Sequence, residues 1–198
     1  ASDVYKRQAL GRAKELSRAT QCMNHLRQLH LGWQLYADDH GGRLVPNGWG
    51  TSSGKVPSNP SWAGGWLDFQ PNNPDNFDTR LLVDPTYLHG GMLGSYVPNA
   101  GVFRCPSDKS SALRGNSFHL RVRSYSLNAN MNINHPDSLL FGRIIYRRID
   151  QIRHPALVFT FLDESENSLS DAAFGTSLGA TNYMGSPAIR HRKHGNLM

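Results

Sequence analysis

The sequence predicts an α+β fold, with a long N-terminal helix packed on a small antiparallel sheet and long loops between the elements. Three observations predict it. Residues 9–40 contain no proline, and their apolar residues recur every three or four positions. Two stretches, 121–130 and 156–163, read as strands, the first by alternation and the second as a near-continuous apolar run. Between them lie segments dense in Gly, Pro, Asn and Ser, which propagate neither a helix nor a central strand.

At 198 residues the chain fits one domain, 9–198, divided into a helical stalk at 9–40 and a globular head at 41–198. An apolar content of 38% with 10% aromatic residues supports a packed core. Mean hydropathy is −0.49, and no apolar run in these residues is long enough to cross a membrane.

The helix comes first. Leu16, Ala19, Met23, Leu26, His30, Trp33 and Ala37 form its stripe, widened by Leu29 and Tyr36. Arg12, Lys14, Glu15, Arg18, Asn24, Arg27 and Gln34 fall mostly elsewhere on the wheel. Gly41-Gly42 ends it. The residues ahead of it, Asp3-Val4-Tyr5-Lys6-Arg7-Gln8, look like the translation of a transposon end used in sequencing libraries, so 1–8 is set aside as artefact.

The loop from Arg43 to Asp78 carries Trp49, Trp62, Trp66 and Phe69, which argues for order. The expectation is an ordered loop pinned by tryptophans at 61–69. Trp49, Trp62 and Trp66 as a carbohydrate-stacking platform is the alternative. Short helical turns are expected at 78–82 and 92–97, a proline-fixed turn at Cys105-Pro106-Ser107-Asp108, a short strand at 143–146 and a helical turn at 148–155. The run 156–163 reads as a strand buried on both faces, one against the helix.

Candidate chemistry is sparse. Cys22 and Cys105 match no four-cysteine zinc or redox spacing; they are two buried thiols or one disulfide. A bridge across so long a loop is worth roughly 4–5 kcal/mol in the chain-entropy model. Asp163, Glu164 and Asp171 could hold calcium, a cation wanting six to eight oxygens. The plain alternative is a carboxylate cluster satisfied by backbone N–H groups and nearby arginines. Asp163 and Glu164 are a poor glycosidase pair because neighbours on a strand point to opposite faces; Glu164 with Asp171 is the conceivable pair. No serine-nucleophile elbow, zinc-protease helix or phosphate loop is present, so no enzymatic activity is expected. His191 and His194, among Arg190, Arg192 and Lys193, read as weak metal ligands. The net charge of +6 is scattered, with no nucleic-acid-binding motif. Solvated faces or charge pairing between subunits are the expected uses.

Several motifs carry a resemblance. Ala9-Leu10-Gly11-Arg12-Ala13-Lys14-Glu15 and Cys22-Met23-Asn24-His25-Leu26-Arg27-Gln28-Leu29 open it. Leu93-Gly94-Ser95-Tyr96-Val97, Val102-Phe103-Arg104-Cys105-Pro106-Ser107-Asp108, Ser124-Tyr125 with Asn128, and Leu162-Asp163-Glu164 with Ser168-Leu169-Ser170-Asp171 continue it. Arg190-His191, Gly195-Asn196 and Leu197-Met198 close it. The chain resembles the secreted-filament proteins with a prepilin-type N-terminus, cleaved and methylated, of planctomycetes and verrucomicrobia, which are similar to the major pseudopilin of type II secretion. The resemblance implies a non-catalytic subunit that self-assembles into a type II secretion or type IV pilus-like filament with the other components of that machine. It implies anchoring in the inner membrane by an apolar helix upstream of Ala9, with the head in the periplasm or at the cell surface. It implies a Cys22–Cys105 disulfide, no obligatory cofactor, and by analogy with pseudopilins a calcium ion near Asp163, Glu164 and Asp171. It also implies a last strand running beyond Met198.

Overall fold

A computed structural model describes residues 2–135, 144–175 and 185–191. The fold is α+β. Helix α1 spans Ser2–Asp39 and, at 1.5 Å per residue, measures about 57 Å. Its two halves live in different surroundings. Residues 3–18 are exposed on every side, whereas Cys22, Leu26, Leu29, Trp33, Tyr36 and Ala37 enter the core. The stripe is therefore real from Cys22 onward, and Leu16, which continues it in sequence, stands half in solvent. The helix ends as expected. Gly41 and Gly42 take positive φ, the Gly42 N–H donates to Ala37 O and the Gly41 N–H to Asp38 O, so two end carbonyls are satisfied.

The head carries short elements. Helix α2 is Arg80–Val83, and strands β1 to β5 are Ser111–Arg114, Ser117–Leu120, Tyr125–Asn128, Phe161–Asp163 and Ala173–Phe174. β1 and β2 form an antiparallel hairpin. β3 is the centre of a second sheet, antiparallel to β4 and parallel to β5. β3 and β4 are wholly buried and lie between α1 and the loops.

The loop at 43–73 is ordered without regular structure, and Trp62 is its anchor. Trp62 is fully buried, donates from Nε1 to Ala172 O at 3.1 Å, stacks on Phe103 and meets Phe161 edge-on. Beside it three backbone strands cross at glycines. A Cβ on Gly64 would stand 3.3 Å from the Cα atoms of both Gly54 and Gly90.

Two expectations need correction. The strand expected over 156–163 is regular only at Phe161–Asp163. Pro155–Leu157 is a 3-10 turn and Leu157 is exposed, because Pro155 fixes φ and removes a ladder donor just where the run begins. The basic residues are not all solvated: Arg121 and Arg123 are fully buried. The expected strand at 143–146 falls partly outside the described residues; within them Tyr146 bridges Met131. The readings of Arg192, Lys193, His194, Gly195, Asn196, Leu197 and Met198 lie outside the described residues.

Candidate functional site

Two buried polar clusters flank β3 and β4, and adjacent residues feed them. The first gathers four remote segments. Cys22 comes from the buried half of α1. Cys105 sits on the Cys-Pro-Ser-Asp turn, closed by Asp108 N–H to Cys105 O at 3.0 Å and tied to the sheet by Cys105 N–H to Ser124 Oγ at 3.1 Å. Asp163 ends β4. His191 arrives on a returning segment that runs along 163–165, with Ala188 N–H on Asp163 O and Ser165 N–H on Ser186 O. One donor atom from each of Cys22, Cys105, Asp163 and His191 lies within 4.8 Å of the other three, and all four residues are buried. Cys105 Sγ is 3.2 Å from His191 Nε2, and Cys22 Sγ is 3.9 Å from Asp163 Oδ2. Both sulfurs are present as thiols. The Cys105 thiol is pushed well up by its Cys22 neighbour and by burial, and burial lowers His191.

Arg190 borders this cluster. Its guanidinium bonds Asp163 Oδ1, reaches Glu166 Oε2 at 2.8 Å and lies 3.5 Å from Asp108 Oδ2. Burial raises the Asp163 carboxyl to about 7, an effect that Arg190 opposes. Tyr125 donates its hydroxyl to Cys22 Sγ at 3.2 Å.

The second cluster begins one residue on. Glu164 Oε2 accepts from Ser126 Oγ at 2.5 Å and Oε1 from Ser168 Oγ at 2.9 Å. Asp171 accepts the Gly50 N–H at 2.7 Å and the Ala173 N–H at 3.1 Å. The fully buried Arg123 donates to the carbonyls of Tyr125 and Ser170. Burial draws its guanidinium down to about 10 while the charges of Glu164 and Asp171 hold it up. Burial likewise raises Glu164 to about 7 and raises Asp171.

Asp163, Glu164 and Asp171 therefore do not form one oxygen cage. Asp163 faces the thiols, and the other two are held by hydroxyls, backbone N–H groups and Arg123. The plain alternative, carboxylates satisfied by backbone N–H groups beside an arginine, describes Asp171, whereas Glu164 is held by the hydroxyls of Ser126 and Ser168. The proposed sugar platform is also corrected. Trp62 is fully buried, stacked on Phe103 and met edge-on by Phe161, while Trp66 is half-buried. Trp49 is half-buried against His135 and lines a shallow cavity whose Asn59 and Asn134 amides are already spent on the loop backbone.

Three buried side chains, Arg121, Arg123 and His191, take places that no local pattern signals. Arg121 and Arg123 stand just before β3, outside the regular strand, and are buried all the same. The basic neighbours of His191 point to a weak ligand, yet Arg190 is neutralised by carboxylates and leaves the ring facing Cys105.

The fold and these clusters define an α+β head on a long helix exposed over its first half, with two buried polar clusters at β3 and β4. The chain belongs to the family described as protein of unknown function (DUF1559), SBP_bac_10, whose model matches residues 11–147. No curated protein and no solved structure matches the chain.

Proposed function

We propose that the chain is a structural, non-catalytic subunit of a pilin-like filament of the type II secretion or type IV pilus kind. One observation carries this reading: the division of α1. Residues 22–37 are locked into the head, whereas 9–18 project with Leu10 and Leu16 in solvent. A free helical stretch of this length is marginal in water by itself. Packing the free halves of neighbouring copies together removes that apolar surface from water and supplies assembly energy. The motifs that resemble prepilin-type proteins support the same reading.

In this reading an apolar anchor helix precedes Ala9, and Arg12, Lys14 and Arg18 lie just outside the membrane boundary. No helix of the described residues is itself long and apolar enough to cross a membrane. The test is the intact coding sequence upstream of Ala9. A short basic leader, a Gly followed by Phe and Thr, a Glu at the fifth mature position and about 20 apolar residues are expected. A cleavable secretory signal, or another soluble domain, in that place overturns the reading.

A further inference from the structure

The first buried cluster has the composition of a metal site rather than of a polar core contact. Two thiols, an imidazole and one carboxylate oxygen point at a common centre within a 4.8 Å span. Tetrahedral zinc, with sulfur at about 2.3 Å and nitrogen or oxygen at about 2.0–2.2 Å, needs donor–donor edges of about 3.3–3.8 Å. The Cys105–His191 and Cys22–Asp163 separations, 3.2 and 3.9 Å, already bracket that range.

The surroundings prepare the donors for charge. Arg190 occupies Asp163 Oδ1, so Oδ2 is the oxygen left toward the thiols. The Ser107 backbone N–H donates to the Cys105 sulfur and the Tyr125 hydroxyl to the Cys22 sulfur. Such donors stabilise thiolates and orient ligands from outside the coordination sphere. Two thiolates and one carboxylate against a divalent cation leave one negative charge, and Arg190, which also pairs with Asp108 and Glu166, stands beside it. Soft sulfur and imidazole select zinc over calcium or magnesium.

We infer that Cys22, Cys105, Asp163 and His191 form a closed, structural zinc site that staples α1 to the head. On binding, the ion takes the two sulfurs as thiolates, and their two protons pass to solvent. A Cys22–Cys105 disulfide, which the family resemblance implies, excludes this state, because it removes the S–H that Cys22 directs at Asp163 Oδ2 and ties up both sulfur donors. The inference is independent of filament assembly.

The test uses the full chain without a histidine tag, purified reduced and free of metal, and titrated with cobalt(II) and zinc(II). One cobalt per chain is expected, with a thiolate-to-cobalt charge-transfer band and the intense visible bands of tetrahedral cobalt, both displaced by zinc. His191, at the rim of the cluster, gives the mildest variant. His191→Ala, folded by circular dichroism, should bind at least about 10–100-fold more weakly. Absence of stoichiometric binding, cobalt bound without the thiolate band, or unchanged affinity in His191→Ala overturns the inference. So does native protein isolated with Cys22 and Cys105 bridged and no metal by elemental analysis. The wild-type titration decides the matter even if the variant fails to fold.

Discussion

Asp163 and Glu164 are consecutive, acidic and buried, yet they belong to opposite kinds of interior. Glu164 enters a cluster served from within the chain: a serine hydroxyl donates to each of its oxygens, and the charge of Arg123 faces both it and Asp171. Asp163 enters one where only half its carboxylate is served by Arg190, and the other half faces two thiols and an imidazole. Burial raises both carboxyls to about 7, so the shift alone does not separate them. What separates them is the identity of the partners: hydroxyls and a guanidinium in one case, metal-ligand types in the other. A perturbed carboxylate marks burial, and its neighbours decide whether burial serves the fold or a ligand.

The largest effect should come from breaking the cluster of Glu164, Asp171 and Arg123. Arg123→Met leaves Glu164 and Asp171 buried without their counter-charge and should cost about 3–5 kcal/mol, read by urea unfolding. Adding Glu164→Gln to that variant should recover part of the loss, since the two residues share one network. An Arg123→Met protein as stable as the wild type would mean that the guanidinium contributes nothing net.

The second effect tests the neighbours directly. Zinc at a hundredfold excess over its dissociation constant should stabilise the reduced protein by about 2.7 kcal/mol, a gain measured as a rise in thermal midpoint. Asp163→Asn should abolish most of that rise, and Glu164→Gln should preserve it. Equal loss in the two variants would erase the distinction between the clusters.

Much of this arrangement was legible in the sequence, and the reason the rest was not is physical. The core part of α1 and its Gly41-Gly42 stop follow from local periodicity and backbone freedom, which a sequence displays directly. The role of Trp62 followed from finding aromatics in a Gly/Pro-rich loop. The β1–β2 hairpin went unread although Gly115-Asn116 between Leu113 and Phe118 is a two-residue turn signal. Arg121 and Arg123 read as surface residues because charge ordinarily means surface, yet both are buried. They precede a strand buried on both faces, so no alternation marks them as interior, and a single sequence does not say which carboxylates wait there. The Cys22–Cys105–Asp163–His191 convergence is assembled from four distant segments. No local pattern encodes it, so cysteine spacing and the crowd of positive charges around His191 were both poor guides.

The smallest effect is the most discriminating, because it compares one hydroxyl in each cluster. Ser168 donates to Glu164 Oε1, and Tyr125 donates to Cys22 Sγ. Removing either hydroxyl, by Ser168→Ala or Tyr125→Phe, should cost about 0.5–1.5 kcal/mol in the metal-free protein. Zinc turns Cys22 into a thiolate and leaves Glu164 untouched. The Tyr125 hydrogen bond then ends on a charged acceptor, where such bonds are worth about 1.5–3 kcal/mol. The Tyr125→Phe penalty should therefore grow when zinc is present, and the Ser168→Ala penalty should not. Linkage makes the same difference appear as weaker zinc binding by Tyr125→Phe alone, so calorimetric titration and unfolding must agree. If the two penalties respond to zinc alike, the hydroxyl of Tyr125 is only a core contact and the two clusters are of one kind.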